Sequence, residues 1–270
     1  MEKETKDEGC EMWEAQHPLP GVRLPYTWAV ASDVGREREN NEDSYALEPE
    51  AGLFLVTDGM GGHRGGELAS RIIAQDLPPA IETKLSTLKS RQPRTIRRFL
   101  KKHVAEQSRQ LHLEGHSESG YVDMGATVAL VLLLEQRLYA ANLGDSRIYR
   151  YRNGRLWQIS RDHSVVAELV ENGHISPDEA DTHEDAGIIT RYVGMDERAH
   201  CSVHSFALQP GDRLLLCTDG LTDMLNESTL KKILRECPDS QLCCNTLVTL
   251  ANQAGGHDNI TVLIVDWQGS

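Results

Sequence analysis

The chain has 270 residues and a formal net charge of −13 at pH 7. This length suits one large domain with a substantial core, or two small domains. The excess negative charge repels nucleic acids and anionic membrane surfaces, so we expect neither as a partner. One basic cluster departs from this trend, and we interpret it as a solvated helix face: Arg94, Arg97, Arg98, Lys101 and Lys102.

The sequence carries no signal for export or for a membrane span. Its longest apolar run, 126–134, falls far short of the roughly 20 residues that a spanning helix needs. The first residues, MEKETKDEG, lack the apolar region of a secretory signal. The 6 cysteines form neither a disulfide framework nor a C-x-x-C metal pattern. We therefore expect a cytoplasmic, monomeric protein with reduced thiols.

Residues 1–25 are polar, contain three prolines and show no periodicity, which predicts a flexible lead-in. No linker interrupts residues 26–267, which predicts a single domain. Apolar and alternating patterns predict strands at 27–32, 44–48, 52–57, 126–135, 137–143, 146–152, 155–160, 201–208, 213–218 and 260–266.

Helical periodicity fits three segments, about 65–80, 94–112 and 240–254. Most strands follow one another through short links, and Asn153-Gly154 is a strong hairpin signal. Short links favour antiparallel pairing. The pattern therefore predicts an α+β fold in which two packed antiparallel sheets are covered by helices.

Three stretches place an aspartate at the end of an apolar strand: LFLVTDG at Asp58, LLLCTDG at Asp219, and GGHDNITVLIV, where Asp258 leads into the strand. A single such aspartate is more often a turn residue. Three with similar flanks suggest a common role, because carboxylates are the ligands that hard divalent cations prefer. Acidic strand ends brought together would also repel one another without a cation.

A fourth acidic cluster, RENNEDS, contains Glu42 and Asp43 close to Arg36 and Arg38. The planar fork of arginine pairs with phosphate oxygens. Metal-binding acids beside an arginine therefore indicate phosphoryl chemistry, although this stretch alone also fits a solvated charged loop.

The sequence lacks the motifs of nucleotide-binding proteins and of other classes of hydrolase. The glycines after Asp58 do not form G-x-G-x-x-G, because Arg64 stands at the sixth position, and the chain has no Gly-Lys pair for a Walker A loop. HCSVHSFA ends in Ala207 where a cysteine-based phosphatase needs arginine. H-E-x-x-H and G-x-S-x-G are absent from the sequence. With no covalent nucleophile visible, a metal-activated water is the remaining choice.

The ordered motifs of residues 26–267 resemble the bacterial type 2C, metal-dependent (PPM) protein serine/threonine phosphatases. The blocks that carry the resemblance are SDVGRERENNEDS, VTDGMGGHRGGELAS, DMGATVALVLL, NLGDSRIYRYRNGRL, RDHSVVAELVENGHISPDEA, LQPGDRLLLCTDGLTDML and GGHDNITVLIV. The resemblance implies a four-layer αββα sandwich with a two-metal centre at one end, and a flap subdomain over residues 164–200.

The resemblance also implies the ligands of the two main ions. Asp58 would bridge both ions, and Gly59 would offer its backbone carbonyl to one of them. Asp219 and Asp258 would complete the protein ligands of the other ion.

Further roles follow from the same resemblance. Glu42 and Asp43 would act mainly through metal-bound waters, and Asp123 would help to hold a third, looser ion. Arg38 would bind the phosphate of the substrate. His63 would protonate the leaving group, although a turn histidine contacting local backbone is an equal alternative.

Three other motif residues are interpreted as structural. Asp145 is expected to form a corner by pairing with Arg147 or with backbone amides. His163 is expected to be structural as well, and Arg191 to form a surface salt bridge rather than to touch substrate.

The resemblance implies a signalling enzyme that hydrolyses phosphoserine and phosphothreonine in proteins with Mn²⁺ or Mg²⁺. Its targets would be phosphorylated proteins, including those of a cognate serine/threonine kinase in the same bacterium. Two alternatives remain: a silent phosphatase fold that serves as a regulatory binding module, and a phosphatase of a small phosphorylated metabolite. A silent fold usually lacks one or more metal acids, whereas this chain keeps Asp58, Asp219 and Asp258.

Overall fold

Two antiparallel sheets form the centre of the molecule in the computed structural model, which describes residues 10–11, 24–61, 65–117, 124–180, 182–195 and 199–269. Sheet I has the strand order β1-β2-β12-β11-β8-β9. Its strands are β1 Cys10–Glu11, β2 Tyr26–Asp33, β8 Arg147–Arg152, β9 Arg155–Gln158, β11 Asp212–Cys217 and β12 Ile260–Trp267.

Sheet II has the order β10-β7-β6-β4-β3, and the short β5 pairs with the end of β4. Its strands are β3 Asp43–Glu48, β4 Leu53–Met60, β5 Gly125–Ala126, β6 Val128–Leu134, β7 Arg137–Leu143 and β10 Ser202–Ala207. Both sheets are antiparallel throughout the described pairings, as their short connections predict.

Helices cover the outer faces of both sheets. They are α1 Gly65–Leu85, α2 Pro93–Gly115, α3 Val165–Glu171, α4 Pro177–Ala180, α5 Asp219–Thr222, α6 Glu227–Glu236 and α7 Ser240–Gln253. The cations of the basic cluster are all exposed on α2, which agrees with a solvated helix face.

Three apolar clusters hold the four layers together. The central cluster lies between the sheets and includes Phe54, Val131, Leu216 and Leu263. A second cluster packs sheet II against α1 and α2, and a third packs sheet I against α6 and α7. The layered α+β sandwich predicted from the sequence is therefore confirmed.

The register of the strands gathers the acidic strand ends at one end of both sheets. In sheet I, Cys217 pairs with Val262 and with Arg147, so Asp219 and Asp258 lie just beyond paired residues. In sheet II, Asp43 pairs directly with Asp58.

All ten predicted strands are present, with ends shifted by up to three residues and 126–135 divided into β5 and β6. Asn153 and Gly154 form the predicted hairpin with φ values of 50° and 74°, which match a type I′ turn. Helix α1 runs past the predicted end at residue 80 and through Pro78 and Pro79. The buried side chains of Leu77, Ile81 and Leu85 explain this extension, because packing outweighs the loss of hydrogen bonds at the prolines.

The polar lead-in lies largely outside the described residues. Within it, Cys10–Glu11 pairs with Ser32 and Asp33 at the edge of sheet I, which differs from a lead-in without secondary structure. None of the helices within the described ranges is both long enough and apolar enough to cross a membrane.

The central apolar cluster sets the distance between the two sheets, so truncating one of its side chains should lower the stability of the fold. Leu216→Ala should lower the free energy of unfolding by about 2–5 kcal/mol, because it removes a fully buried side chain and leaves a cavity. Leu242→Ala is the matched control, since Leu242 is 57% exposed on α7. It should change stability by less than about 0.5 kcal/mol. Urea denaturation followed by circular dichroism measures both values, and equal stabilities of the two variants would contradict the assignment.

Candidate metal centre

Asp58 lies near the end of β4 and directly opposite Asp43, the first residue of β3. Like charges at opposed positions of neighbouring strands repel each other. Burial raises the pKa of the Asp58 carboxyl well above its ordinary value, and the charges of Asp219, Asp43, Asp145 and Asp258 raise it further.

Asp43 is 8% exposed, and only one of its two carboxylate oxygens has a hydrogen-bond partner among the described residues. Its Oδ2 atom accepts a hydrogen bond of 2.8 Å from the Thr218 hydroxyl, whereas its Oδ1 atom is buried without a partner among the described residues. Burial raises the pKa of Asp43 to about 8, and the charges of Asp219 and Asp258 add to this shift.

Asp219 begins the short helix α5, two residues after the end of β11 at Cys217. Burial raises its pKa, with a further contribution from the charge of Asp258. Its Oδ1 atom also has no partner within the described ranges. The following Gly220 allows close packing here, because a Cβ atom at this position would lie 2.1 Å from the Asn259 carbonyl oxygen.

Asp258 and Arg38 lie at the rim of this acidic end. The Arg38 Nη2 atom donates a 2.7 Å hydrogen bond to Asp258 Oδ2. The Arg38 side chain is 54% exposed and that of Asp258 is 33% exposed, so both are accessible from solvent. The arginine therefore stands beside the acids with part of its guanidinium available for an anion.

Glycines bring Glu42 and the start of α1 close to the end of β4. A Cβ atom on Gly59 would lie 2.1 Å from the Gly66 carbonyl oxygen, and one on Gly66 would lie 2.2 Å from Glu42 Oε2. The Gly59 amide donates to the Glu42 carbonyl at 3.1 Å. Side chains at these glycines would force the three segments apart.

Three polar residues that the sequence analysis missed fix the acidic segments. Thr218 joins Asp43 to β12, because its hydroxyl also accepts from the Thr261 amide at 3.0 Å. The Thr127 hydroxyl accepts from the Asp58 amide at 2.9 Å. A threonine precedes the aspartate in both VTDG and CTDG. This repeat in the sequence could have indicated that Thr218 has a role at the site.

Asn259 is the third of these residues, and it holds the segment that carries Arg38 and Glu42. Its Nδ2 atom donates to the carbonyl oxygens of Val34 and Asn40, both at 2.9 Å. Its Oδ1 atom accepts from the Glu42 amide at 2.7 Å. No local pattern marks this role, because its partners lie more than 200 positions away.

The remaining predicted residues divide into three groups. His63 and Asp123 lie outside the described residues. His163 is structural as predicted, since its Nδ1 atom accepts from the Gly144 amide at 3.1 Å, and burial lowers its pKa to about 4. Arg191 pairs with Glu168 at 3.6 Å, as predicted for a surface salt bridge.

Of the two partners predicted for Asp145, Arg147 is wrong, whereas a backbone hydrogen bond at Asp145 itself agrees with the predicted backbone amides. The Arg147 Nη2 and Nε atoms bind Asp162 Oδ2 at 2.7 and 2.8 Å instead. Asp162 is reachable because β9 and the segment after it fold back along β8. The Asp145 Oδ1 atom is buried without a partner among the described residues.

The donor set fits hard divalent cations. Asp43, Asp145 and Asp219 each present a buried carboxylate oxygen that lacks a hydrogen-bond partner within the described residues. Uncompensated carboxylates are costly to bury, and oxygen donors of this kind suit Mg²⁺ or Mn²⁺. Within the described ranges, no group of three or more histidine, cysteine, aspartate or glutamate side chains is arranged so that it could hold a metal ion.

Comparisons with known proteins agree with this geometry. A family model described as Protein phosphatase 2C matches residues 35–246. The chain belongs to this family. The serine/threonine phosphatase Stp of Listeria welshimeri is 34% identical over 238 residues, which cover 87% of this chain and 93% of that protein.

Solved structures of serine/threonine phosphatases also match the fold of this chain. The serine/threonine phosphatase PstP/Ppp of Mycobacterium tuberculosis superposes with a TM-score of 0.79 at 33% identity, covering 90% of this chain and 99% of that one. A PstP catalytic domain in complex with 2 manganese ions superposes with a TM-score of 0.77 at 32% identity, covering 90% and 99%. The predictions of family, fold, metal-dependent serine/threonine phosphatase activity and divalent-metal cofactors are confirmed.

The raised pKa values of Asp43, Asp58 and Asp219 give the stability of the metal-free protein a definite pH dependence. A carboxyl whose folded-state pKa is raised stabilises the fold below its unfolded value near 3.8, and this stability is lost as pH rises through the folded value. In EDTA, the unfolding temperature should therefore fall between pH 5 and pH 8.

Mn²⁺ should remove most of this loss, because the cation compensates the ionised carboxylates. Thermal unfolding followed by circular dichroism at several pH values, with EDTA and with Mn²⁺, measures the effect. A metal-free protein that becomes more stable between pH 5 and pH 8 would contradict the assignment of these three acids.

Proposed function

We propose that the acidic end of the sandwich is the catalytic centre for the dephosphorylation of phosphoserine and phosphothreonine in proteins. The observation that carries this proposal is the direct pairing of Asp58 with the buried Asp43, with two further acids and an exposed arginine at the same end of the sheets. This concentration of negative charge is unfavourable by itself, and cations bound there would compensate it.

Asp58, the Gly59 carbonyl, Asp219 and Asp258 are the proposed direct ligands of two Mn²⁺ or Mg²⁺ ions. Glu42 and Asp43 are proposed to act through waters, and Asp123 to help hold a third ion. When bound, the ions supply a water of lowered pKa as nucleophile and neutralise charge on the phosphate. The hydrogen bonds from Thr127 to Asp58 and from Thr218 to Asp43 keep these segments in place.

Arg38 is proposed to bind the phosphate oxygens of the substrate. Its side chain is 54% exposed, and its guanidinium is held beside Asp258 by a 2.7 Å hydrogen bond. A planar fork of donors matches a phosphate better than a single ammonium does. His63 is proposed to give a proton to the departing serine or threonine oxygen.

The substrates are proposed to be cytoplasmic phosphoproteins, including targets of a cognate serine/threonine kinase, and the enzyme is proposed to act as a monomer. The names of relatives from Listeria and Streptococcus, serine/threonine phosphatase and protein phosphatase, support the substrate class. Residues 26–267 are proposed as the catalytic domain and residues 164–200 as its flap, which contains α3 and α4.

Asp58→Asn should reduce the turnover of a phosphothreonine peptide in Mn²⁺ by at least ~10²-fold, because it removes a charged group from the centre. Asp76→Asn is the matched control, since Asp76 is exposed on α1. It should retain wild-type turnover. EDTA should abolish the activity of both the wild type and the control.

Parallel assays with a phosphorylated metabolite test the substrate class. Faster turnover of the metabolite than of the peptide would contradict the proposed protein substrate. Near-wild-type activity of Asp58→Asn would contradict the proposed centre itself.

Arg38→Ala should raise KM for the phosphopeptide about 10-fold or more, because it removes a charge-assisted hydrogen bond to phosphate. Arg38→Lys should fall between this variant and the wild type, since it keeps the charge but loses the fork. Arg98→Ala, at an exposed position on α2, is the control and should leave KM unchanged. An unchanged KM in Arg38→Ala would exclude the proposed contact with phosphate.

A further inference from the structure

Strand β8 carries three arginines, and one of them lacks an acidic partner among the described residues. Arg147 binds Asp162, and Arg152 binds both carboxylate oxygens of Asp212. Arg150 lies between them and makes no hydrogen bond or ion pair within the described ranges, and its Nε atom is buried. The chain has 41 acidic residues against 28 lysines and arginines, so an arginine without an acid is unexpected.

Arg150 lies at the open edge of the sandwich, where the end strand of each sheet contributes an aromatic ring. The strand order of sheet I ends at β9, and that of sheet II ends at β10. Arg150 pairs with Trp157 of β9, and its guanidinium carbon lies 5.1 Å from the centre of the Trp157 ring. The same carbon lies 5.3 Å from the centre of the Phe206 ring on β10. Contacts with both rings therefore hold the guanidinium in place.

The electrostatics of this edge favour binding of an anion. Burial lowers the pKa of Arg150, and the charge of Arg152 lowers it further, while Asp212 compensates this effect only in part because it is bound to Arg152. Arg155 is exposed on the same face of β9 as Trp157 and adds positive charge. Trp157 is 38% exposed and offers an apolar surface beside the guanidinium.

We propose that Arg150, Arg155 and Trp157 form a docking site for an acidic segment of the protein substrates. The inference rests on the proposed phosphatase function. A carboxylate of the segment binds the guanidinium of Arg150, whose planar fork suits it, and a neighbouring apolar side chain packs on Trp157. An arginine already held by aromatic rings loses little freedom when it binds.

A purely structural role does not explain Arg150 as well. An apolar side chain would fill the space between the two rings without the cost of burying a charge. The net charge of −13 disfavours nucleic acids and anionic membranes as alternative partners, whereas a short acidic segment meets only the local charge of the two arginines.

The docking site is close enough to the acidic end of the sheets for one substrate chain to reach both. Arg147, three positions before Arg150, pairs with Cys217 next to the acidic end. Three strand positions span about 10 Å. An acidic segment roughly six to ten residues from the phosphorylated residue can therefore occupy the docking site while the phosphate lies at the proposed centre.

Fluorescence anisotropy with a labelled, unphosphorylated peptide of several glutamates and one tyrosine tests the docking site directly. Arg150→Met keeps the contact with the rings and removes the charge, so it should weaken binding of the peptide by about 10-fold or more. Arg150→Lys should lie between this variant and the wild type, since it keeps the charge and loses the fork. A peptide with glutamine in place of glutamate should bind as weakly as Arg150→Met binds the original.

Two control variants separate docking from stability and from general charge. Arg98→Ala removes a positive charge from an exposed position on α2 and should bind the peptide as the wild type does. Arg152→Met loses the ion pair with Asp212 and should have a lower unfolding temperature than the wild type. Arg150→Met should be at least as stable as the wild type, because it loses no ion pair with a described residue.

A kinetic comparison connects the docking site with the proposed function. A phosphothreonine peptide that carries glutamates about eight residues from the phosphate should have a lower KM than the same peptide without them, because docking raises the effective concentration of the phosphate. In Arg150→Met, the ratio of the two KM values should fall to about one.

Four results would overturn the docking site. They are peptide binding by Arg150→Met within twofold of the wild type, a loss of stability in Arg150→Met comparable to that of Arg152→Met, tighter binding of duplex DNA or anionic vesicles than of the peptide, and a wild-type dimer that Arg150→Met dissociates. The last two would assign the edge to another partner. A protein that binds the glutamate peptide but has no phosphatase activity would instead contradict the proposed function.

Discussion

Mutual repulsion among buried and half-buried carboxylates is the constraint on which this structure depends. Asp43 and Asp58 are opposed on neighbouring strands, and Asp219 and Asp145 each lie two positions beyond the paired ends of β11 and β8 in the other sheet. Burial and like charge raise the pKa values of all four groups. A folded protein tolerates such an arrangement when cations compensate it, so the fold and the metal-dependent activity share one physical basis.

The sandwich keeps these charges close to one another. The central apolar cluster fixes the distance between the sheets, while Thr218 links Asp43 of sheet II to the end of β11 in sheet I. Asn259 then ties the segment that carries Arg38 to the start of β12. The glycines at 59 and 66 let β4 and α1 approach closely beside Glu42. Rigid strand ends thus position groups that would separate on flexible loops.

Much of the fold and the main acids could be predicted from the sequence, because local patterns encode them. Apolar runs that end in aspartate marked Asp58, Asp219 and Asp258, and alternation marked the strands. The roles of Thr127 and Asn259 were missed because their partners are distant in the chain. Of the two partners predicted for Asp145, Arg147 was wrong for a related reason, because Arg147 binds Asp162, which the hairpin of β8 and β9 brings back beside it.

Proton release on Mn²⁺ binding tests the central claim most directly. Burial raises the pKa of Asp43 to about 8 and that of Asp58 above its ordinary value, so binding of a cation should displace protons from these carboxyls. Calorimetric titrations of the metal-free protein in two buffers of different ionisation enthalpy give the number of protons released. The account predicts binding of at least two Mn²⁺ ions with net release of protons at pH 7. Binding without proton release, or no binding, would contradict it.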